Sequence, residues 1–190
     1  MEIALFVLLG LAVVAVIYGI LIYNNLVSLK HGVAKAWSNI DVLLKQRHDE
    51  LPKLVETCKQ YMKFEQETLE RVMRARAAVA AARDAGDVGA LGAAEGALRL
   101  GLGNLYAVAE AYPDLKANES FQNLQARITG LENSIADRRE YYNEAVNINN
   151  VRIEQFPDVI VASWFRFGPA ELLEFAAEEK RDVDLKALFT

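Results

Sequence analysis

The sequence predicts an all-α protein in which one N-terminal transmembrane helix is followed by an antiparallel four-helix bundle. Three observations predict this class: an uncharged apolar run at the N-terminus, apolar residues spaced three and four apart through most of the remainder, and no segment with the sustained two-residue alternation of a strand. We expect residues 1–23 to be the anchor, 24–156 a cytoplasmic bundle, and 157–190 an apolar and aromatic tail.

The N-terminal run, residues 3–23, contains no charged side chain. About 20 apolar helical residues cross the hydrocarbon core of a bilayer, and a helix bonds all its backbone polar groups internally, as that environment requires. A cleaved signal peptide is the alternative. It fits less well, because only Met1 and Glu2 precede the run, and Tyr23, Asn24 and Asn25 do not form a small-residue cleavage site. We therefore predict a retained anchor.

Flanking charges predict the orientation of this anchor. Glu2 precedes the run, whereas Lys30 and Lys35 follow it. Because cytoplasmic flanks carry the excess of lysine and arginine, the N-terminus is expected outside and the body in the cytoplasm.

The body carries its apolar residues in stripes typical of helix faces that pack on one another. One stripe comprises Leu26, Leu29, Val33, Ala36, Ile40, Leu43 and Arg47. A second comprises Leu91, Ala94, Leu98, Gly101, Leu105, Val108 and Tyr112. A third comprises Phe121, Leu124, Ile128, Leu131, Ile135, Arg138, Tyr142 and Ala145. The spacing and the intervening breaks predict helices over about 24–48, 52–84, 88–112 and 118–156. Short loops between such helices predict an up-down bundle.

Four features mark the breaks between these helices. Asp49 and Pro52 suit the start of a helix. The Asp49 side chain can cap it, and proline is tolerated in a first turn because the N–H it lacks would have no partner there. Residues 83–87 are predicted to form a turn, Asn118 or Ser120 is the candidate cap of the fourth helix, and Pro157 ends that helix.

Glycine is concentrated in the predicted third helix. Six of the chain's 11 glycines lie in residues 86–103, although each interior glycine costs about 1 kcal/mol relative to alanine. Close packing of this helix is one explanation, since small residues let helix backbones approach. A helix that can move or re-pair is the other.

No catalytic, metal-binding or cofactor-binding residues are predicted, so the chain is not expected to be an enzyme. The net charge of −5 gives no reason to expect a nucleic acid partner. The single thiol, Cys58, can form neither an internal disulfide nor a metal cluster. The chain contains no HExxH, Walker or GxSxG motif, and no Glu-x-x-His of the type that binds metals in bundle cores.

Two groups of charged residues have structural explanations. Glu65, Arg76 and Arg138 fall on or beside the apolar stripes, where structural ion pairs are the usual explanation. The mixed charges of residues 41–49 are expected to form a solvated helix face.

The tail contains a dense group of large apolar side chains, among them Trp164, Phe165, Phe167 and Phe175. An exposed group of this kind marks a partner-binding or membrane surface. Alternatively, the tail folds back and covers one end of the bundle. We take Trp164, Phe165 and Phe167 as the candidate assembly or membrane-surface contacts.

Residues 23–61, beginning YNNLVSLKHG, and residues 111–157, beginning AYPDLKANES, resemble the two signature segments of LemA family proteins. Two positions depart from that pattern: Ile148-Asn149 stands where the family usually has a second Tyr-Asn, and Ser163-Trp164-Phe165 is bulkier than usual. The resemblance implies a short external N-terminus, one membrane helix and a cytoplasmic four-helix bundle at the bacterial inner membrane. It implies no reaction.

These observations favour a non-enzymatic membrane scaffold or interaction protein that self-associates at the cytoplasmic face. The alternative is a sensory or signalling bundle, which the apparent continuity of anchor and first helix would suit. The expected partners are the lipid bilayer, further copies of the chain and possibly another membrane protein, without a cofactor.

Overall fold

The computed structural model describes residues 2–174, and these form six helices without a strand among them. The helices are α1 (Glu2–Lys59), α2 (Gln66–Ala85), α3 (Val88–Ala109), α4 (Pro113–Lys116), α5 (Glu119–Glu154) and α6 (Asp158–Phe165). The all-α prediction is confirmed for this part of the chain. The antiparallel four-helix arrangement stays a prediction, and residues 175–190 of the predicted tail, including Phe175, lie outside the described residues.

The described residues fall into two compact units. Unit 1 comprises residues 2–40 and 138–172, and unit 2 comprises residues 41–137 with 173 and 174. Helices α1 and α5 each contribute residues to both units.

The N-terminal part of α1 is apolar and exposed along its length. Its large side chains leave half or more of their surface uncovered from Ile3 to Leu21. Within residues 2–174, α1 alone is long and apolar enough to cross a membrane. The prediction of one long apolar N-terminal helix is confirmed, and the crossing itself stays a prediction.

The helix restart predicted around Pro52 is wrong, because α1 continues through this residue to Lys59. A proline inside a helix removes the N–H that would bond the carbonyl four residues earlier, here that of His48. Arg76 of α2 supplies a replacement: its Nε donates to the His48 carbonyl at 2.9 Å. The chain instead leaves the helix at residues 60–65.

Local signals account for the starts of α3 and α5 and for the end of α2. The Asp87 side chain accepts a hydrogen bond from the Ala90 N–H at 2.8 Å and caps α3. The Asn118 side chain accepts from the Phe121 N–H at 3.0 Å, as expected of a capping residue. Gly86 ends α2 with φ of 68°, a left-handed conformation that suits glycine.

The core of unit 2 is built from the predicted stripes. The buried side chains of α3 include Leu91, Ala94, Leu98 and Leu105. Gly92 packs directly against the backbone of Glu174, whereas a Cβ added at Gly101 would make ordinary contact with Val72 on α2 and one at Gly103 would meet no atom. The close-packing explanation is therefore supported at Gly92.

One apolar cluster, called here the core of unit 1, joins α1, α5 and α6. Its buried members are Ile22, Leu26, Ile153 and Ala162, with Val161 and Phe167 packed beside them. Further along α1, the Trp37 ring lies against that of Tyr142 with centroids 5.5 Å apart. This core fixes α6 against the end of the apolar segment of α1.

Candidate functional site

Helix α6 carries a single charged residue, Asp158 at its start, and hydrogen bonds join polar groups at both of its ends. Residues 159–165 contain no charged side chain. At its start, buried Asp158 accepts from Arg152 Nε at 2.8 Å, and the Val159 N–H donates to the Gln155 carbonyl at 2.8 Å. At its end, the Phe167 N–H donates to the Ala162 carbonyl at 2.9 Å. The helix therefore presents an almost purely apolar outer surface.

The three predicted contact residues occupy different environments. Trp164 is 82% exposed and Phe165 58% exposed, whereas Phe167 is half-buried. Both phenylalanine rings meet Tyr23 of α1 edge-on, with centroid separations of 4.7 Å for Phe165 and 5.7 Å for Phe167. Phe167 thus contributes to the core of unit 1, while Trp164 and Phe165 form its surface. Their role as contacts with a partner or membrane stays a prediction.

A groove of about 500 Å³ runs between α1 and α6. Its walls are Ala15, Val16, Gly19, Ile20 and Tyr23 from α1 and Val161, Trp164 and Phe165 from α6. The α1 residues are spaced so that they share one face of the helix. Among the lining side chains, polar atoms are limited to the Tyr23 hydroxyl and the Trp164 indole N–H, so this groove suits a largely apolar ligand.

The segment after α6 returns along α5, and sequence reasoning missed the residue that holds it. Asn150 donates to the Ala170 carbonyl at 2.9 Å and accepts from the Ala170 N–H at 2.9 Å. The Tyr142 hydroxyl donates to the Glu171 carbonyl at 2.8 Å. The described part of the tail therefore combines an exposed aromatic helix with a segment that folds back.

Unit 2 contains a buried ionic network that the sequence did not predict. Arg47 is 1% exposed; its guanidinium pairs with Glu95 of α3 and, at 3.3 Å, with Oε1 of Glu132 on α5. Burial raises the pKa of the Glu132 carboxyl, against the opposing effect of Arg47. The expectation of a solvated face over residues 41–49 is wrong at Arg47. The position of Arg47 at the end of an apolar stripe was the feature of the sequence that could have indicated its burial.

The chemistry of this network is structural rather than catalytic in type. One guanidinium joins carboxylates from two other helices, so the network favours a single register of α1, α3 and α5. In the described part of the chain, no group of three His, Cys, Asp or Glu side chains is placed to hold a metal ion.

His48 also carries a pH-dependent contact, because its ring Nε2 lies 2.5 Å from an Arg76 guanidinium nitrogen. Burial, and then the Arg76 charge, lower the pKa of His48 from its usual 6.5. The unfolded chain therefore binds more protons than the folded chain as the pH falls through 6.5, and the free energy of unfolding should decrease there.

We expect His48→Gln to remove this part of the pH dependence, because glutamine can accept from Arg76 without titrating. Urea unfolding followed by circular dichroism, at about pH 7.5 and about pH 5.5, measures the difference. His31→Gln, at the chain's other histidine, should keep the wild-type slope. Equal slopes in the wild type and His48→Gln would contradict the prediction.

Comparison with known proteins places the chain in a family. The LemA family model matches residues 36–186. The magnetosome protein MamQ 2 of Paramagnetospirillum magneticum is 27% identical over 195 residues, which cover 90% of this chain and 72% of that protein. The magnetosome protein MamQ of Magnetospirillum gryphiswaldense is 30% identical over 64 residues, 34% of this chain and 24% of that protein. Together with the long apolar helix, these relatives indicate a membrane-associated protein. Since the family match takes in more than half of its residues, the chain belongs to the LemA family.

Proposed function

We propose that this protein is a non-enzymatic scaffold anchored by α1 in the bacterial inner membrane. In this proposal the N-terminus lies outside, the body lies at the cytoplasmic face, and copies of the chain associate there. Support for the anchoring comes from the exposed apolar side chains of α1 and from the lysines that follow them. The magnetosome proteins it resembles support a place at a membrane.

The observation that carries the self-association is the exposed aromatic surface of α6. Trp164 and Phe165 present large apolar areas next to α1. A few aromatic residues commonly supply most of the binding energy of a protein interface. An area of this kind on an anchored protein would be covered most simply by the same surface of a neighbouring copy.

The test is the mass of the detergent-extracted particle. Changing Trp164→Ser and Phe165→Ser together should shift the particle toward the monomer and leave helical circular dichroism unchanged, because neither side chain is buried. Phe167 is left intact, since it belongs to the core of unit 1. Phe64→Ser is the matched control, an aromatic residue of unit 2 that is 94% exposed.

We expect the Phe64→Ser particle to keep the wild-type mass. An unchanged mass of the double variant would refute self-association through α6, and an equal loss in both variants would show that the effect is not specific to this surface.

The second candidate function is a sensory or signalling bundle. One observation favours it: α1 runs without a break from Glu2 to Lys59 and carries both the apolar segment and Arg47 of the buried network. A displacement of the apolar segment would then be transmitted along a single helix. A particle that is monomeric in the wild type would favour this function over the scaffold.

A further inference from the structure

We propose that the groove between α1 and α6 binds one acyl chain of a membrane lipid. The inference rests on the proposed anchoring of α1 in a bilayer, and it assigns the acyl chain to the side of Trp164 and Phe165 that faces α1, leaving their outer side to the neighbouring copy of the scaffold proposal. Four observations carry it: the depth of the groove, the satisfied polar groups of α6, the apolar lining, and the open space at Gly19.

The groove lies at a depth where lipid acyl chains are the surrounding solvent. Its α1 residues run from Ala15 to Tyr23, about 12 Å of helix at 1.5 Å per residue. The hydrocarbon core is about 30 Å thick, so this length fits within one leaflet. Tyr23, at the end of the apolar run, suits the interfacial depth at which tyrosine and tryptophan concentrate.

Polar groups without hydrogen-bond partners are costly in hydrocarbon. A helix at this depth must therefore bond its polar groups within the protein, and the following contacts of α6 do so. The N–H groups of Val159 and Ile160 donate to the carbonyls of Gln155 and Pro157, and the Phe167 N–H donates to the Ala162 carbonyl. The Ser163 hydroxyl donates to the Val159 carbonyl at 2.7 Å. Asp158 pairs with Arg152. These polar groups therefore have partners within the protein.

The lining decides the class of ligand. Ordered water needs two to four polar partners, and the lining side chains offer the Tyr23 hydroxyl and the Trp164 indole N–H among walls that are otherwise apolar. Its volume of about 500 Å³ lies within the range of small-molecule sites. A flexible hydrocarbon chain can fill such a groove lengthwise, and the exposed apolar side chains of α1 continue from its walls into the same lipid environment.

Gly19 provides the space in the floor of the groove. A Cβ built at Gly19 meets no atom within 4 Å, and the same is true of Gly10, which lies in the same apolar segment but outside the groove. Gly19→Leu should therefore fill the groove without a clash, and Gly10→Leu is its matched control.

The experiment uses Trp164 as the reporter, because it lines the groove and the chain contains only one other tryptophan, Trp37. The full chain carrying Trp37→Phe, which keeps an aromatic ring against Tyr142, is extracted in detergent. It is then titrated with phosphatidylcholine brominated on its acyl chains, a quencher of tryptophan emission. Trp37→Tyr is the second background if Trp37→Phe does not fold, as judged by circular dichroism.

The expected result is saturable quenching of Trp164 that levels off near one lipid per chain, since bound lipid would touch the indole directly. Gly19→Leu should reduce the saturable part several-fold, and Gly10→Leu should leave it unchanged. Quenching that rises in proportion to the lipid fraction without saturating, or equal quenching in the two glycine variants, would overturn the site. A fall in particle mass with Gly19→Leu and no quenching would assign the groove to a second copy and also overturn it.

A separate arm tests the anchoring on which the inference rests. Val13→Trp, as the sole tryptophan, is placed in vesicles of the same brominated lipid. Val13 lies in the apolar segment and half of its surface is exposed. Quenching of this tryptophan supports the anchor whatever Trp164 shows. Absence of quenching there would refute the proposed anchoring itself, and with it the acyl-chain site.

Discussion

Replacing Arg47 by methionine is expected to lower the free energy of unfolding by about 3–5 kcal/mol. The change leaves the Glu95 carboxylate, itself 1% exposed, without its guanidinium partner, and it removes one partner of Glu132. A buried charge without a partner costs far more than the lost side-chain packing. Urea unfolding of the detergent-extracted protein, followed by circular dichroism, measures the loss.

Two comparisons separate this explanation from a simple packing defect. Arg71→Met breaks an exposed ion pair with Glu67 and should cost less than about 1 kcal/mol. Combining Arg47→Met with Glu95→Leu and Glu132→Gln should restore most of the stability, because an uncharged replacement of a buried ion pair is often neutral. If the triple variant is as unstable as Arg47→Met alone, the uncompensated charge is not the cause.

Acidification should also rescue Arg47→Met in part. Burial already raises the pKa of Glu132 in the intact network, and loss of Arg47 removes a charge that opposes this shift. A carboxyl with a raised pKa in the folded state stabilises the protein most when the pH is low and loses that contribution as the pH rises. The deficit of Arg47→Met relative to the wild type should therefore shrink toward acidic pH.

The second large effect concerns two glycines of α3, whose replacement by alanine is expected to change the free energy of unfolding in opposite directions. Gly92→Ala is expected to lower the free energy of unfolding by about 1–3 kcal/mol, as in other overpacked sites. The new Cβ would overlap the carbonyl oxygen of Glu174, a backbone atom that cannot move aside without displacing the neighbouring buried Leu173. Gly103→Ala should instead raise the free energy of unfolding by up to about 1 kcal/mol, because alanine favours a helix and the site is open.

The same unfolding measurement tests this pair. Both variants add one methyl group to the interior of the same helix, so helix propensity alone predicts equal stabilisation. Stabilisation by Gly92→Ala as large as that by Gly103→Ala would show that the contact with Glu174 does not constrain α3.

Those parts of the fold that depend on residues near one another in the chain could be predicted from the sequence. The apolar run of α1 follows from its composition, and the buried faces of α3 and α5 follow from three- and four-residue spacing. The cap at Asn118 follows from a side chain that bonds an N–H three residues away. The signature segments at residues 23–61 and 111–157 likewise pointed to the family that the comparison then showed.

The candidate surface could be predicted only as a group. Its aromatic content marks Trp164, Phe165 and Phe167 alike, because all three lie in one apolar segment. The difference between their environments depends on Tyr23, a residue more than 140 positions earlier in the chain. Its ring contacts Phe165 and Phe167, whereas Trp164 is exposed.

By itself, then, the sequence determined that this is a helical protein with an apolar N-terminal segment and aromatic residues in its tail, because periodicity, composition and capping act over a few residues. Tertiary structure alone decided that α1 continues through Pro52, that Arg47 is buried, and that Gly92 lies against another backbone segment. Each of these depends on a partner brought from far along the chain: Arg76 at the His48 carbonyl, Glu95 and Glu132 at the guanidinium, and the Glu174 backbone at Gly92. The spacing of residues along the chain does not predict which distant residue will supply a missing hydrogen bond, a compensating charge or a close contact.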